Sequence, residues 1–532
     1  MRKIAFLVIA FAHAFLLKAQ TSFDYTLSLV PVSVPEFPGL HSFVHAQHDG
    51  KWLLIGGRKD GMHARQPFSS FPQASNNTDI YVVDINTQQL WSASVNTLPA
   101  GLKEQLQSTN MNFDQNGTTL YIVGGYGFSV TANDHITYPN LTSVDIPGLM
   151  NAVISGTSIT PFFKQITHDN FAVTGGHLNQ LNGKFYLVGG HRFDGRYNPM
   201  NNPTFIQTYT NEIRMFNIDN SGTQLSFSNY SVINDPVHLR RRDYNLVPQI
   251  YPNGEPGLMI SSGVFQINAD LPFLYPVEIT AAGHTPVTAF NQYLSNYHSA
   301  NAALYDASAN EMHSLFFGGI SQYYYQNGTL IQDNQVPFVK TISRVTRNSL
   351  GQLQEFKLPQ EMPNLKGASA EFLYNWTNPH YPNGVLKLND ITENSFVIGH
   401  IVGGIQSSSL NPFSSNQTAL TSADASVYEV RLTKNPMATD EVIDGRNPFQ
   451  ISVSPKPFST EFKVTFNLDK TTKINWLLTD ASGKIIRNGL SSTKAAGKQS
   501  FDVQMEKSSE KFVVLTVIFD DKFYVTRKLL RK

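Results

Sequence analysis

The chain has no cysteine among its 532 residues. That absence excludes a thiol nucleophile, thiolate-held metal and disulfide staples, so an exported form must be held by burial alone. Charge is scarce too, at 15% of residues, with 40 basic side chains against 40 acidic ones. Such a balance lacks the basic field that nucleic-acid binding needs. Catalytic signatures are missing: there is no His-Glu-x-x-His, no Gly-x-Ser-x-Gly and no acidic calcium loop. Nothing in the pattern calls for a metal or a cofactor. Long helical periodicity is also absent, while aromatics reach 12%. Together these describe an all-β chain with a polar, largely non-ionic surface.

The N-terminus carries Arg2-Lys3, an apolar stretch over 4–17 interrupted by His13, and then Lys18-Ala19-Gln20. This pattern predicts a signal peptide over 1–19; the apolar stretch is too short for a membrane span. No later stretch offers a transmembrane helix either. Loss of Arg2, Lys3 and Lys18 from the 40 basic residues leaves 37 against 40 acidic.

What the chain does have is a repeat. Short apolar runs end in Gly-Gly at Gly56-Gly57, Gly124-Gly125, Gly189-Gly190, Gly318-Gly319 and Gly403-Gly404. The step from 189 to 318 is about twice the first two, and Leu258-Met259-Ile260-Ser261-Ser262-Gly263 falls inside it, making six units. Within a unit, an inner strand leads through a turn such as Asp49-Gly50, Asn116-Gly117 or Asn182-Gly183 into the run that ends in the glycine pair. A third strand follows, such as Asp79-Ile80-Tyr81-Val82-Val83-Asp84, and then a fourth that carries Trp91, Phe227 or Phe356.

Four strands per unit, with small residues where backbones approach, describe a β-propeller blade. At these positions the chain resembles kelch repeats over 37–434, which implies a six-bladed kelch-like β-propeller within 20–436. The sixth unit ends near Val430 without a fourth strand. Tyr25-Thr26-Leu27-Ser28-Leu29-Val30 is expected to supply it and close the ring, protecting the sheet edges. The missing cysteine excludes the cysteine–tyrosine crosslink of kelch-fold galactose oxidases, and the Asp boxes of sialidase-like propellers are absent.

Composition shifts after Lys434-Asn435-Pro436. Residues 437–532 hold 16 basic and 11 acidic side chains, leaving 21 and 29 for the mature part before it. Alternating strands, among them Phe462-Lys463-Val464-Thr465-Phe466 and Phe512-Val513-Val514-Leu515-Thr516-Val517, predict a small β-sandwich. Its opening Pro455-Lys456-Pro457-Phe458 and its basic-apolar end are similar to the C-terminal sorting domain of type IX secretion in Bacteroidetes. The family's Gly-hydroxyl-Tyr step is replaced here by Ser508-Ser509-Glu510-Lys511-Phe512. The resemblance implies delivery by type IX secretion machinery to the outer-membrane cell surface or the medium.

In such a blade the connections between second and third strands all open on one face. Here they cover 58–78, 126–141, 191–211, 264–275, 320–340 and 405–425, most of them far longer than hairpin loops. Their Asn, Gln, Tyr, Phe and Ser content suits a glycan or a protein surface. Two begin alike, Arg58-Lys59-Asp60-Gly61-Met62-His63 and His191-Arg192-Phe193-Asp194-Gly195-Arg196, either to clamp a polar ligand or to brace an Asp-Gly turn. Tyr323 and Tyr324 add flat rings. His41, Asn170, Arg242 and His298 open the inner strands and are expected to line the channel on that face. The candidate ligand residues are therefore Arg58, Asp60, His63, His191, Arg192, Asp194, Arg242, His298, Tyr323 and Tyr324. A non-catalytic binding module is the leading reading. Its rival is a sugar-active enzyme of mutarotase or epimerase type, with Arg242, His298 and Glu371 converging at the channel mouth.

Overall fold

A computed structural model describes residues 23–66, 69–198, 204–434, 449–480, 484–505, 511–520 and 523–532. The predicted leader, the 435–448 junction and most of the 508–511 step lie outside these ranges. The protein is all-β, 52% strand against 7% helix, and its strands form small antiparallel sheets.

Five consecutive sheets start at inner strands Val44–His48, Asn112–Asn116, His177–Leu181, Asn245–Ile250 and Asn301–Asp306; the first four have four strands, and the fifth gains a fifth strand, Leu386–Lys387, on its inner edge. A sixth begins at Glu371–Tyr374, continues through Ser395–Val402 and Val427–Lys434, and is completed from the other end of the chain. There Tyr25–Val32 pairs antiparallel with Val427–Lys434, Tyr25 opposite Lys434.

Apolar side chains fill the space between successive sheets. Leu53 and Ile80 of the first sheet meet Leu120 and Val144 of the second, and Tyr186 and Val188 of the third meet Leu258 and Ile260 of the fourth. The series returns to its start where Leu373, Val402 and Val427 of the sixth sheet pack on Trp52, Leu54 and Val83 of the first. Each large side chain removed from water in these layers is worth about 1.5–3 kcal/mol. They do the work that disulfides do in many exported proteins.

The glycine pairs sit where one sheet touches the next. All ten glycines have positive φ, and so do Ser262 and Gly263, which occupy the equivalent place in the fourth unit. A Cβ on Gly124 would lie 1.8 Å from the Val173 carbonyl oxygen, so no side chain fits there. From the second residue of each pair an N–H reaches a carbonyl ahead of the next inner strand: Gly57 to Ser108, Gly125 to Val173, Gly190 to Arg241, Gly263 to Asn296, Gly319 to Lys366 and Gly404 to Leu40.

Two features escape sequence reading. The long connections are not open loops, since several are β-hairpins, such as Tyr126–Ser129 with Asp134–Thr137 and His191–Gly195 with Phe205–Tyr209. Two short helices, Ala100–Leu106 and Ile146–Ser155, flank the second sheet, and both add leucines to the core between first and second sheets. The longer one ends at Gly156 in the left-handed conformation, a common helix stop.

The C-terminal module has two sheets around one core. Ser452–Ser454, Glu461–Leu468 and Gly497–Gln504 form one; Ile485–Lys494, Thr472–Thr479, Phe512–Phe519 and Phe523–Leu530 form the other. Strict alternation drives it, with Phe462, Val464, Phe466 and Leu468 inward, facing Val513, Leu515, Val517 and Phe519. Among the described residues no helix is long and apolar enough to cross a membrane.

Candidate functional site

Six residues just ahead of the inner strands form a closed circle of backbone hydrogen bonds. Asn110 donates to Ser42, Gly175 to Asn110, Asp243 to Gly175, His298 to Asp243, Ser369 to His298, and Ser42 back to Ser369, at 2.8–3.2 Å. The circle divides the axis of the six sheets into two levels. Residues before it in each unit, such as His41 and Arg242, belong to the mouth; residues after it, such as His45 and Glu371, belong to a chamber between the inner strands.

At the mouth, charges are paired. Arg58 is 3% exposed and donates from Nε to Asp60 Oδ1 at 2.8 Å, from Nη2 to Asp60 Oδ2 at 2.5 Å and from Nη1 to Asn76 Oδ1 at 2.9 Å. The Asp60 carboxyl is also 3.7 Å from His41 Nε2, and Arg58 and His41 hold it well below the usual carboxylate range despite its burial. This corrects the clamp expectation for Arg58 and Asp60: their hydrogen-bonding groups are engaged with the protein, and they brace the turn. Arg192 and Asp194 repeat the device at 2.6 Å, with Asp194 Oδ1 accepting from the Thr137 N–H. That pair is half-exposed and stays in contact with solvent.

His63 sits among rings from three different units. It stacks on Phe71 at 4.7 Å and meets Tyr197 edge-on at 4.6 Å and Phe413 at 5.5 Å. Burial, then the charges of Arg242 and Arg58, lower its pKa to about 4. Backbone contacts tie the same segments together: Ser70 Oγ donates to Tyr197 O, Tyr126 Oη to Gly195 O, and the Met62 N–H to Thr421 Oγ1. The rim segments thus interlock into a cap over the mouth. His191 lies beneath it, buried, and its Nδ1 accepts from Gln207 Nε2.

The run Arg240-Arg241-Arg242-Asp243 divides into three roles. Arg240 lies 4.0 Å over the Tyr209 ring and Arg242 donates to the Tyr209 hydroxyl and, at 2.6 Å, to Asp243. Arg241 is fully buried against Phe273 and Tyr275, donating to the carbonyls of His238, Ser262 and Tyr275. Burial lowers its pKa to about 10.

Beyond the circle, Glu371 stands between two imidazoles, with Oε2 3.7 Å from His45 Nε2 and Oε1 3.6 Å from His298 Nε2. His177 packs edge-on against His298 at 5.2 Å. Burial raises the Glu371 pKa well above the ordinary value and lowers those of His45, His177 and His298 to about 4, 4 and 3. Burial thus favours the uncharged form of each of these four groups. Among the described residues no group of three or more histidines and acids is arranged to hold a metal ion.

The three residues of the enzymatic reading do not converge. His298 and Glu371 meet in the chamber, while Arg242 pairs with Asp243 at the mouth. Asn170 also departs from its expected place: it lies in the turn Asp169–Phe171, its carbonyl bound by Arg214, and Gly175 takes the equivalent position in the circle. Tyr323 packs edge-on against Tyr293 at 4.8 Å, and Tyr324 lies on the same hairpin, Tyr323–Gln326 with Thr329–Gln332, in the fifth unit.

Sequence reading also missed a groove of about 500 Å³ where the fifth and sixth rim segments meet. Lys340, Asn364, Gln406, Ser407, Ser408 and Ser422 line it. Its only sequence signal is the serine-rich run from 405 to 425.

No family model matches the chain, and no curated protein does. Solved structures do match, among them one titled "Structure of YjhT". It is 13% identical, the match covers 70% of this chain and 93% of that one, and the TM-score is 0.42.

Proposed function

We propose that the protein is an exported, six-bladed kelch-like β-propeller that binds a glycan through its long-connection rim and is delivered by type IX secretion through its C-terminal module. The propeller reading rests on the closed circle of six backbone hydrogen bonds and on the return of the core from the sixth sheet to the first. Export rests on the leader-like N-terminus and the sorting-domain resemblance of 437–532.

One observation carries binding over catalysis: the interlocked rim caps the mouth and leaves a groove lined by amides, hydroxyls and one lysine together with the apolar side chains of Leu365 and Leu420. Such a lining can pair with sugar hydroxyls but contains no acid–base pair. A glycan array probed with the full chain tests this. Binding that is lost in Ser422→Trp, which fills the groove, supports it; loss in Arg242→Ala alone moves the site to the mouth. Binding to no glycan directs the search to a protein partner.

The enzymatic alternative draws on Glu371 between His45 and His298, since an un-ionised carboxyl and a neutral imidazole form an acid–base pair suited to sugar ring opening. Faster anomer exchange in NMR spectra of free sugars, abolished in Glu371→Gln, would favour it.

A further inference from the structure

The face opposite the rim is built from the connections between first and second strands. In five units these are short: 49–50, 117–118, 182–183, 251–255 and 307–310. In the sixth, the connection runs from 375 to 394. It is an ordered segment. Leu386–Lys387 pairs in parallel with Leu304 and Tyr305 on the free edge of the fifth inner strand. Asn383 Nδ2 donates to Gln249 O in the fourth unit, Asn389 accepts from the Ala307 N–H in the fifth, and Asn378 Nδ2 donates to Val397 O in the sixth. Val385, Leu386 and Leu388 are buried. A segment fixed to three units in this way is a platform rather than a loop.

What it presents is Trp376, 42% exposed although indole is costly to leave in water. Tyr374 supports the ring at 5.0 Å with a 34° tilt, and His380 abuts it at 4.6 Å. Gly384 passes close beside the indole, and its φ of +85° favours glycine there. Tyr374 is itself fixed, its hydroxyl accepting from the Ala303 N–H and its carbonyl from Gln47 Nε2. The ring is thereby pre-oriented, which lowers the entropy lost when a ligand stacks on it.

Its surroundings decide the kind of ligand. Asn375, Thr377, Asn378 and His380 flank the indole, and no second large apolar side chain of this segment is exposed beside it. His380 Nδ1 donates to Asn378 O, which leaves Nε2 on the other side of the ring to face a ligand. An apolar face edged with small polar groups matches a pyranose ring, whose C–H face stacks while its hydroxyls pair at the sides. Asn375 and Asn378 donate to Val397 O and Thr377 Oγ1 donates to Asn375 Oδ1, so it is His380 Nε2 that an apolar protein anchor would cover without a partner.

We infer that Trp376 and the 375–394 segment form a stacking site for a neutral pyranose chain, on the face opposite the rim and independent of what the rim binds. The test is titration of the full chain with cellohexaose, mannohexaose, maltohexaose and chitohexaose, followed by tryptophan emission and calorimetry. At least one is expected to shift the emission and to bind. Trp376→Ala should then weaken binding about tenfold and Trp376→Phe less, as expected for loss of one aromatic contact. His380→Ala, which leaves the indole in place, gives an intermediate loss and serves if Trp376→Ala does not fold. Absence of binding by all four sugars, or equal affinity in wild type, Trp376→Ala and His380→Ala, overturns the inference.

Discussion

The mouth and the chamber lie on adjacent levels of the same six inner strands, yet they handle ionisable groups in opposite ways. Above the backbone circle, arginines keep their charge because a carboxylate is fixed within hydrogen-bond reach: Asp60 for Arg58, Asp243 for Arg242. Below it, Glu371 has only imidazoles within 3.6–3.7 Å, and burial favours the uncharged forms of Glu371, His45 and His298. Burial acts on both levels. What differs is whether a full opposite charge compensates it.

The glycine pairs where one sheet touches the next are the most fragile elements. Gly124→Ala puts a methyl group into the Val173 carbonyl and asks alanine for a positive φ. It should cost about 3 kcal/mol or more, read as a large fall in the melting midpoint. Next in size is Arg58→Ala, which leaves Asp60 and Asn76 facing a vacated, buried site. About 3 kcal/mol is expected from denaturant unfolding, and an unchanged midpoint would refute the pairing.

The buried ionisable groups of the six-sheet region make a prediction about pH. His45, His63, His177, His298 and His400 have folded pKa values of about 3–4, below the unfolded 6.5, so their contribution is present above pH 6.5 and is lost as pH falls toward 4. Asp114, Glu355 and Glu371 are raised, the first two to about 7 and about 8, so theirs is present at low pH and is lost as pH climbs through those values. Between pH 4.5 and 6.5 the more numerous histidines prevail. Thermal midpoints should peak near pH 6.5 and fall on both sides.

Glu371→Gln sharpens this further. The amide has no proton to lose, so the variant should lose less stability than wild type as pH rises from acid toward alkaline. A variant less stable at pH 8 would mean that Glu371 is ionised and compensated. The smallest effect belongs to Arg192→Ala. That pair is half-exposed, and its removal should shift stability by no more than about 1 kcal/mol.

Local chemistry made part of this legible in the sequence. The glycine pairs show where backbones crowd, and Ser262 could be matched to them because its neighbours repeat the apolar run. Strand alternation showed the C-terminal core from Phe462 to Phe466. Pairing across the chain left weaker signals. Nothing adjacent in sequence marks Arg58 as buried, because Asn76 and the Pro72 carbonyl reach it from the far end of its own segment. His45 and His177 look like ordinary alternating strand residues until three inner strands bring them beside Glu371 and His298. The rim hairpins from Tyr126 and His191 lack a glycine turn, whereas Asn327-Gly328 joins the one from Tyr323, and the 375–394 platform depends on contacts with two other units. Arg242 failed as a partner of Glu371 for a simple reason: it precedes its circle residue, whereas Glu371 follows Ser369 by two.

The central claim is that six sheets close through one circle of backbone hydrogen bonds, with the seam between Ser42 and Ser369. Residue-resolved hydrogen exchange of the full chain tests it most directly. A closed circle predicts that the amides of Ser42, Asn110, Gly175, Asp243, His298 and Ser369 are all protected and open together, with one common free energy. Exchange at Ser42 and Ser369 that is orders of magnitude faster than at the other four would show that the first and sixth sheets do not close, and would contradict the account.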